Sequence, residues 1–399
     1  VVRHADWIVD VGPDAGAQGG QIMYSGPLAG LADVQKSRTR PYLFDQAVQV
    51  ARTPRDPRGW LKLRGVTRNN LDRLDADIPM GVFTSVTGIS GSGKSSLISQ
   101  FLVEAVSAEI GQRSEPADDD DRLEEKVATT GGEITGGLEN IKRLVVVDQK
   151  PIGRTPRSNL ATYTGLLDHV RKLFAATKQA RARRYDAGRF SFNVAKGRCA
   201  TCQGEGFVCV ELLFLPSVYA PCPTCKGARY NAKTLEIKIR DRSIADVLAM
   251  SVDEAFEFFV ADDPLRRSLG VLREVGLGYI RLGQSATELS GGEAQRVKLA
   301  TELQRAQRGE TLYVLDEPTT GLHPSDVAKL MKQLDGLVGS GNTVVVVEHD
   351  RTVAAASDGV IDIGPGAGDE GGRIVAAGSP AQVASETQSR TAKYLAAVL

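Results

Sequence analysis

Long apolar runs are missing from this chain. No stretch approaches the roughly 18–20 residues that a membrane-crossing helix requires, so a spanning helix is excluded and no membrane partner is expected. Cysteine is scarce, five residues in 399, which excludes a disulfide scaffold. Four of the five fall into Cys-x-x-Cys pairs, an arrangement that suits metal binding in a reducing, cytoplasmic compartment. Neither sign of charge is in excess, 49 basic against 49 acidic residues, so the whole-chain average points to no polyanionic partner. The length leaves room for about two to three domains.

What is present, first, is a repetition. Ala5-Asp-Trp-Ile-Val-Asp-Val-Gly-Pro-Asp-Ala-Gly-Ala-Gln-Gly-Gly-Gln-Ile22 echoes Ser357-Asp-Gly-Val-Ile-Asp-Ile-Gly-Pro-Gly-Ala-Gly-Asp-Glu-Gly-Gly-Arg-Ile374 at a constant offset of 352. One complete nucleotide-binding module lies between the copies. The chain therefore reads as the C-terminal half of a tandem protein, opening in the tail of an upstream module.

Composition divides the rest. Residues 1–45 read as that tail, with two short strands around Gly-rich turns, and 46–59 as a linker. Residues 60–165 read as the first part of a second module, 166–285 as an insertion, and 286–399 as the module's completion. Alternating residues from Trp60 to Met80 suggest strands, and 82–87 suggests a buried one leading into a helix over 95–108. The β-branched runs at 144–147, 312–315 and 344–347 are core-strand material. Strands alternating with helices around a phosphate loop indicate an α/β sheet. The stretch 114–125, with seven acidic residues, reads as a solvated loop.

Gly88-Ile-Ser90-Gly91-Ser92-Gly93-Lys94-Ser95 meets the phosphate-loop pattern, followed by Ser96 on the helix. Its glycines let backbone N–H groups approach phosphates, Lys94 neutralises phosphate oxygens, and Ser95 offers a hydroxyl to Mg²⁺. Asp316, ending the run Leu312-Tyr-Val-Leu, is placed to hold Mg²⁺ through water, and Glu317 to act as general base toward the attacking water. Leu289-Ser290-Gly291-Gly292-Glu293 puts a turn at the start of a helix, where N–H groups suit a γ-phosphate. Gln149 and His349 each follow a predicted strand. Both fit a role at the γ-phosphate and the water, and taken singly both also fit a structural one.

Cys199, Cys202, Cys222 and Cys225 form two thiolate knuckles separated by nineteen residues, a spacing that matches a tetrahedral structural Zn²⁺ site. Redox pairs and a zinc module without nucleic-acid contact remain alternatives. Cys209 fits neither knuckle and is expected to be a small buried residue. Just before the cluster, 171–198 holds nine basic residues and a single acid, Asp186. Arg181, Arg183, Arg184, Arg189, Lys196 and Arg198 are candidate phosphate contacts, with Phe174, Tyr185, Phe190 and Phe192 available to stack. A solvated basic face over core aromatics is the other reading. Arg154, Arg157 and Asn159 follow Gln149 directly, which would couple the nucleotide to the insertion.

The phosphate loop, Gln149, Leu-Ser-Gly-Gly, Asp316-Glu317 and His349 together resemble an ATP-binding cassette ATPase. The resemblance implies an α/β P-loop core with a helical signature subdomain, here carrying an inserted zinc module. In that family the signature turn of one cassette completes the ATP site of another. Ser290, Gly291, Gly292 and Glu293 would then serve an opposite cassette, and one cassette alone would turn over weakly.

Longer stretches narrow the family. Val147-Asp-Gln-Lys-Pro-Ile-Gly-Arg-Thr-Pro-Arg-Ser-Asn159, Gly188-Arg-Phe-Ser-Phe-Asn193, 199–230, Tyr279-Ile-Arg-Leu-Gly-Gln-Ser-Ala286 and 312–323 resemble the UvrA family of excinuclease components. That resemblance covers essentially the whole chain. It implies a cytoplasmic, homodimeric DNA-damage sensor of bacterial nucleotide excision repair without nuclease activity of its own. Such a protein uses ATP, Mg²⁺ and Zn²⁺, contacts damaged double-stranded DNA around the zinc module and loads a UvrB-like subunit. The acidic run at 118–121 and the join over 24–44 also resemble divergent paralogues, some associated with drug tolerance. A cassette ATPase serving a transporter or the ribosome is the alternative of another class.

Overall fold

The computed structural model describes residues 2–13, 16, 19–45, 53–111, 131–212, 215–305 and 309–399, with backbone only over 210–212 and 215–218. The acidic run at 114–125 and residues 46–52 of the expected linker lie outside them. The chain forms two compact units: residues 1–13, 21–149 and 305–399, and residues 14–20 with 150–304. The divisions fall at 149 and 305, whereas sequence composition marks 165 and 286. The second unit thus carries the turn after Gln149 and the signature helix as well as the cysteine-bearing stretch.

In the first unit a hairpin of β1 (Ile8–Gly12) and β2 (Gln21–Gly26) stands apart from the other sheets. Next come β3 (Gly59–Arg68), β4 (Leu71–Met80), β5 (Phe83–Thr87), β6 (Gly131–Gly136) and β7 (Arg143–Val147). In the second unit β8 (Phe207–Leu212) and β9 (Leu215–Pro221) pair as a hairpin. The chain then returns through β10 (Thr311–Asp316), β11 (Thr343–Val347), β12 (Gly359–Gly364) and β13 (Arg373–Gly378).

The main sheet runs β13-β12-β5-β11-β10-β7, all parallel except for β13. Its central strands are buried on both faces, which is why Phe-Thr-Ser-Val-Thr, Leu-Tyr-Val-Leu and Thr-Val-Val-Val-Val read as continuous runs without alternation. A second, antiparallel sheet, β4-β3-β6, covers Leu97, Ile98, Phe101 and Leu102 of the helical segment after the phosphate loop. The C-terminal ends of β5, β7, β10 and β11 deliver the phosphate loop, Gln149, Asp316-Glu317 and His349. Open parallel sheets bind ligands at that edge.

The internal repeat is structural as well as sequential, and it runs further than residue 22. Both hairpins, β1–β2 and β12–β13, shift register after the matching aspartate, Asp10 or Asp362. Thr39 donates to Asp10 at 2.8 Å, as Thr391 donates to Asp362 at 2.6 Å. Burial separates the copies. Ile361 and Ile363 are 3% and 1% exposed and pack with Val86 and Leu97, whereas their counterparts Val9 and Val11 are 54% and 60% exposed. The same strand face is core in one copy and open in the other.

Candidate functional site

The phosphate loop leaves β5 under tight steric control. Gly88 sits at φ +134°, and a Cβ there would lie 2.1 Å from the Ile363 carbonyl oxygen, so only glycine fits. The repeat braces this loop. Gly368 N–H donates to the Gly91 carbonyl at 3.0 Å and Gly372 N–H to the Ser92 carbonyl at 2.9 Å. Asn70 Nδ2 spans the Gly91 and Gly368 carbonyls. No motif in the sequence marks Asn70 or the second Gly-rich copy for this role.

Lys94 is buried, and its Nζ donates to the Gly88 and Ile89 carbonyls at 3.0 and 2.8 Å. Burial lowers its pKa, while Glu317, Asp362 and Asp316 pull it back up. Ser90 and Ser95 are exposed; Ser96 is buried and accepts from Asn69 at 2.9 Å. Asp316 accepts from Ser99 Oγ at 3.0 Å, a contact that sequence spacing did not suggest. Burial raises the Asp316 pKa, Ser99 opposes this, and neighbouring Glu317 adds to it. A carboxylate in such a setting gains from a cation, and Asp316 with Ser95 could hold Mg²⁺.

Glu317 occupies the left-handed region at φ +45°, a conformation that costs a non-glycine residue about 1–3 kcal/mol. Its N–H donates to Val347 O at 2.8 Å, and its carbonyl accepts from Gln149 Nε2 at 3.3 Å. His349 Nε2 lies 3.3 Å from Glu317 Oε1. Lys94, Asp316, Glu317, Gln149 and His349 therefore gather at one edge of the sheet. Glu348, which no sequence motif singles out, is 2% exposed and accepts from Thr319, His349 and Asp350.

The signature turn belongs to the second unit. Glu293 caps its own helix (Gly291–Arg305), accepting from Ser290 N–H at 2.8 Å and Ser290 Oγ at 3.0 Å. Tyr279 donates to its other oxygen at 2.6 Å, and burial pushes that phenol up to about 12, keeping it a donor. Glu293 thus shapes the turn in which Gly291 and Gly292 lie.

The four sulfurs of Cys199, Cys202, Cys222 and Cys225 lie within 4.8 Å of one another, with Cys202 and Cys225 at 3.6 Å. A tetrahedron with metal–sulfur bonds near 2.3 Å has edges of about 3.8 Å, so the set fits one zinc ion. Gly206 N–H donates to Cys202 Sγ at 3.3 Å. The Cys225 N–H holds the Cys222 thiol down to about 7, and burial pushes Cys225 up to about 12. Crowded thiols lose a first proton readily and a second only when a cation takes up the charge. Cys209 is exposed on β8, contrary to the expectation of burial, because a two-stranded hairpin leaves strand faces in water.

The insertion corrects one further expectation. Phe174, Phe190 and Phe192 are fully buried, Phe174 packed ring to ring with Phe190 and Phe192 with Tyr230, so they form core and stack on no base. Arg183 pairs with Glu236, Arg189 lies 4.4 Å over the Tyr185 ring, and Arg198 reaches Gln203. Arg181, Arg184 and Lys196 are exposed. Within the second unit, residues that follow Gln149 in sequence contact the cysteine module. Arg157 pairs with Glu205 at 3.3 Å, and buried Arg229 donates to the Pro156 and Gly283 carbonyls at 2.8 and 3.3 Å. Asn159 instead caps the helix Leu160–Tyr163.

No protein-family model matches the chain. UvrABC system protein A of Streptomyces avermitilis is 51% identical over 402 residues, taking in 100% of this chain and 39% of that protein. Its counterpart from Neisseria meningitidis serogroup B is 49% identical, with 41% of its length covered. The crystal structure of UvrA2 from Deinococcus radiodurans superposes with a TM-score of 0.90 at 62% identity, over 100% of this chain and 47% of that one. The chain spans about two fifths of the length of those two proteins and just under half that of UvrA2. With about half of all residues identical from end to end, and the same fold throughout, the chain belongs to the UvrA family.

Proposed function

We propose that this chain is the second, ATP-hydrolysing cassette of a bacterial nucleotide excision repair protein, one that grips damaged duplex DNA and loads a UvrB-like subunit. The observation that carries this reading is one chain holding both a Lys94–Asp316–Glu317–His349 constellation and a closed four-cysteine cluster. Family relatives named UvrABC system protein A supply the repair context. Glu317 takes the proton of the attacking water, His349 orients it, and Lys94 carries phosphate charge. Ser95 and Asp316 would hold Mg²⁺, which would supply further charge neutralisation. Zinc staples the cysteine module and takes no part in the chemistry.

The exposed Val9–Val11 face supports reading residues 1–45 as the closing strands of another cassette, whose core would cover it. A homodimer would supply the opposing signature turns, and a cytoplasmic location follows from the repair role. The test is filter binding of the full-length protein to ultraviolet-irradiated and intact duplex, with and without ATP. Tighter binding to the irradiated duplex is expected. Equal affinity under every nucleotide condition would overturn damage sensing.

A paralogue acting on DNA without the repair partner is the second reading. It is favoured by the 62% identity to UvrA2, against 48–51% to the UvrABC system proteins. Assembly of a ternary complex with a UvrB-like subunit on damaged DNA separates the two readings, being expected only of the first.

The basic arm yields a graded prediction. Arg181→Ala, Arg184→Ala and Lys196→Ala should each weaken DNA binding and flatten its dependence on log salt by about 0.9 per lost phosphate contact. Arg183→Ala should do less, because Glu236 already neutralises that guanidinium. Binding titrations across salt concentrations check this; an unchanged slope in the triple variant removes the arm from the interface.

A further inference from the structure

We propose that Glu348 is a positioning residue for ATP hydrolysis, its buried carboxylate setting Glu317 and His349 at their working separation. The proposal rests on the ATPase reading above and goes beyond it.

Glu348 joins three elements of the nucleotide site. Its backbone N–H donates to Val86 O at 3.0 Å, on the strand that leads into the phosphate loop. One carboxylate oxygen accepts from the Thr319 N–H at 3.0 Å and the Thr319 hydroxyl at 2.6 Å, two residues beyond Glu317. The other accepts from the His349 N–H at 2.8 Å and the Asp350 N–H at 3.1 Å. At 2% exposure the group is out of water, so these four donors replace its hydration.

The geometry explains why a carboxylate is needed here. The run Val344–Val347 would be continued equally well for packing by another valine, but an apolar side chain would leave the Thr319 hydroxyl and three N–H groups without this acceptor. Glu317 lies in the left-handed region, which persists only when its surroundings over-determine it. Val347 O holds the start of that turn, and Thr320 N–H bonds the Glu317 carbonyl at 3.2 Å. Glu348 holds the far end through Thr319. Because the same carboxylate fixes the His349 backbone, both sides of the 3.3 Å Glu317–His349 contact are tied to one group.

The test uses the full-length protein and five forms: wild type, Glu348→Gln, Thr319→Val, Thr319→Ser and Glu317→Gln. Glutamine is near-isosteric but turns donors toward backbone donors; valine removes only the Thr319 hydroxyl. Misplacement by about 1 Å can cost on the order of 10²-fold in rate, so Glu348→Gln and Thr319→Val should lower kcat by about 10- to 100-fold. Their KM for ATP should stay within about threefold of wild type, since loss confined to kcat marks an interaction made in the transition state. Thr319→Ser, which keeps the hydroxyl, should retain most activity. Wild-type kcat in both Glu348→Gln and Thr319→Val would overturn the proposal, as would KM rising in step with a falling melting temperature. An inactive wild type, or Glu317→Gln turning over at the wild-type rate, would instead strike the ATPase reading itself.

Discussion

Glu317→Gln in the full-length protein should hydrolyse ATP about 10²- to 10⁴-fold more slowly, the range that a positioned general base contributes. Place and partner both mark this residue as the base. Glu317 follows the last residue of β10, its carboxylate meets His349 at 3.3 Å, and its backbone is held at both ends by hydrogen bonds. Glutamine preserves the shape of the side chain and removes the negative charge and basicity that let a carboxylate take a proton from water. Lys94, the phosphate loop and the Asn70–Gly368 brace are untouched, so ATP should remain bound while turnover stops. Rapid-quench measurement of product, alongside retention of labelled ATP on a desalting column, checks both halves. Normal product formation would mean that another group activates the water. His349→Ala should fall in the same direction with ATP retained, because it loses the partner of Glu317 and leaves the base in place.

What the sequence reveals of this site, and what it hides, follows from the range of the interactions. The parallel strands are legible because burial on both faces writes itself as β-branched runs, and the phosphate loop because its glycines are dictated locally. Asp316, Glu317 and His349 are legible as residues next to such strands. Ser99, Asn70 and Glu348 are not, since each acts through a partner distant in sequence: Ser99 on Asp316, Asn70 on Gly368, and Glu348 on Thr319. The arm shows a different failure. Aromatic residues interleaved with arginines look alike whether rings face solvent or core, and only packing shows Phe174, Phe190 and Phe192 to be core. The far end of the repeat is hidden because its matches are short and polar. Ser37-Arg-Thr39 and Ser389-Arg-Thr391 carry the same offset, and Thr39 and Thr391 hold the matching aspartates, Asp10 and Asp362.

Stripping zinc should unfold the cysteine module, and this is the largest single effect expected from any perturbation outside the nucleotide site. Around the four sulfurs themselves little else packs among the described residues; the other anchors, Arg157–Glu205, Arg229 and Tyr230, lie at the module's edges. Among the described residues, the apolar side chain packed against the four cysteines is Val208, and the two-stranded hairpin β8–β9 is too small to be stable by itself. Structural zinc in modules of this kind contributes about 10–16 kcal/mol, far more than one valine and a hairpin can replace. Gly204 and Gly206 sit at φ +92° and +80° to make the knuckle turn, so chain entropy also opposes folding without the metal. Metal analysis of the full-length protein should therefore find one zinc per cluster, and Cys202→Ser or Cys225→Ser should lose it. Limited proteolysis of those variants should cut within 199–230, and DNA binding should fail while ATP binding persists. The last contrast distinguishes local from global damage, because Lys94 and its loop are braced within the other unit by Gly368 and Gly372. Substoichiometric zinc in protein that binds DNA normally would show that the thiols hold the module together without a metal, and that its fold draws on contacts other than these four.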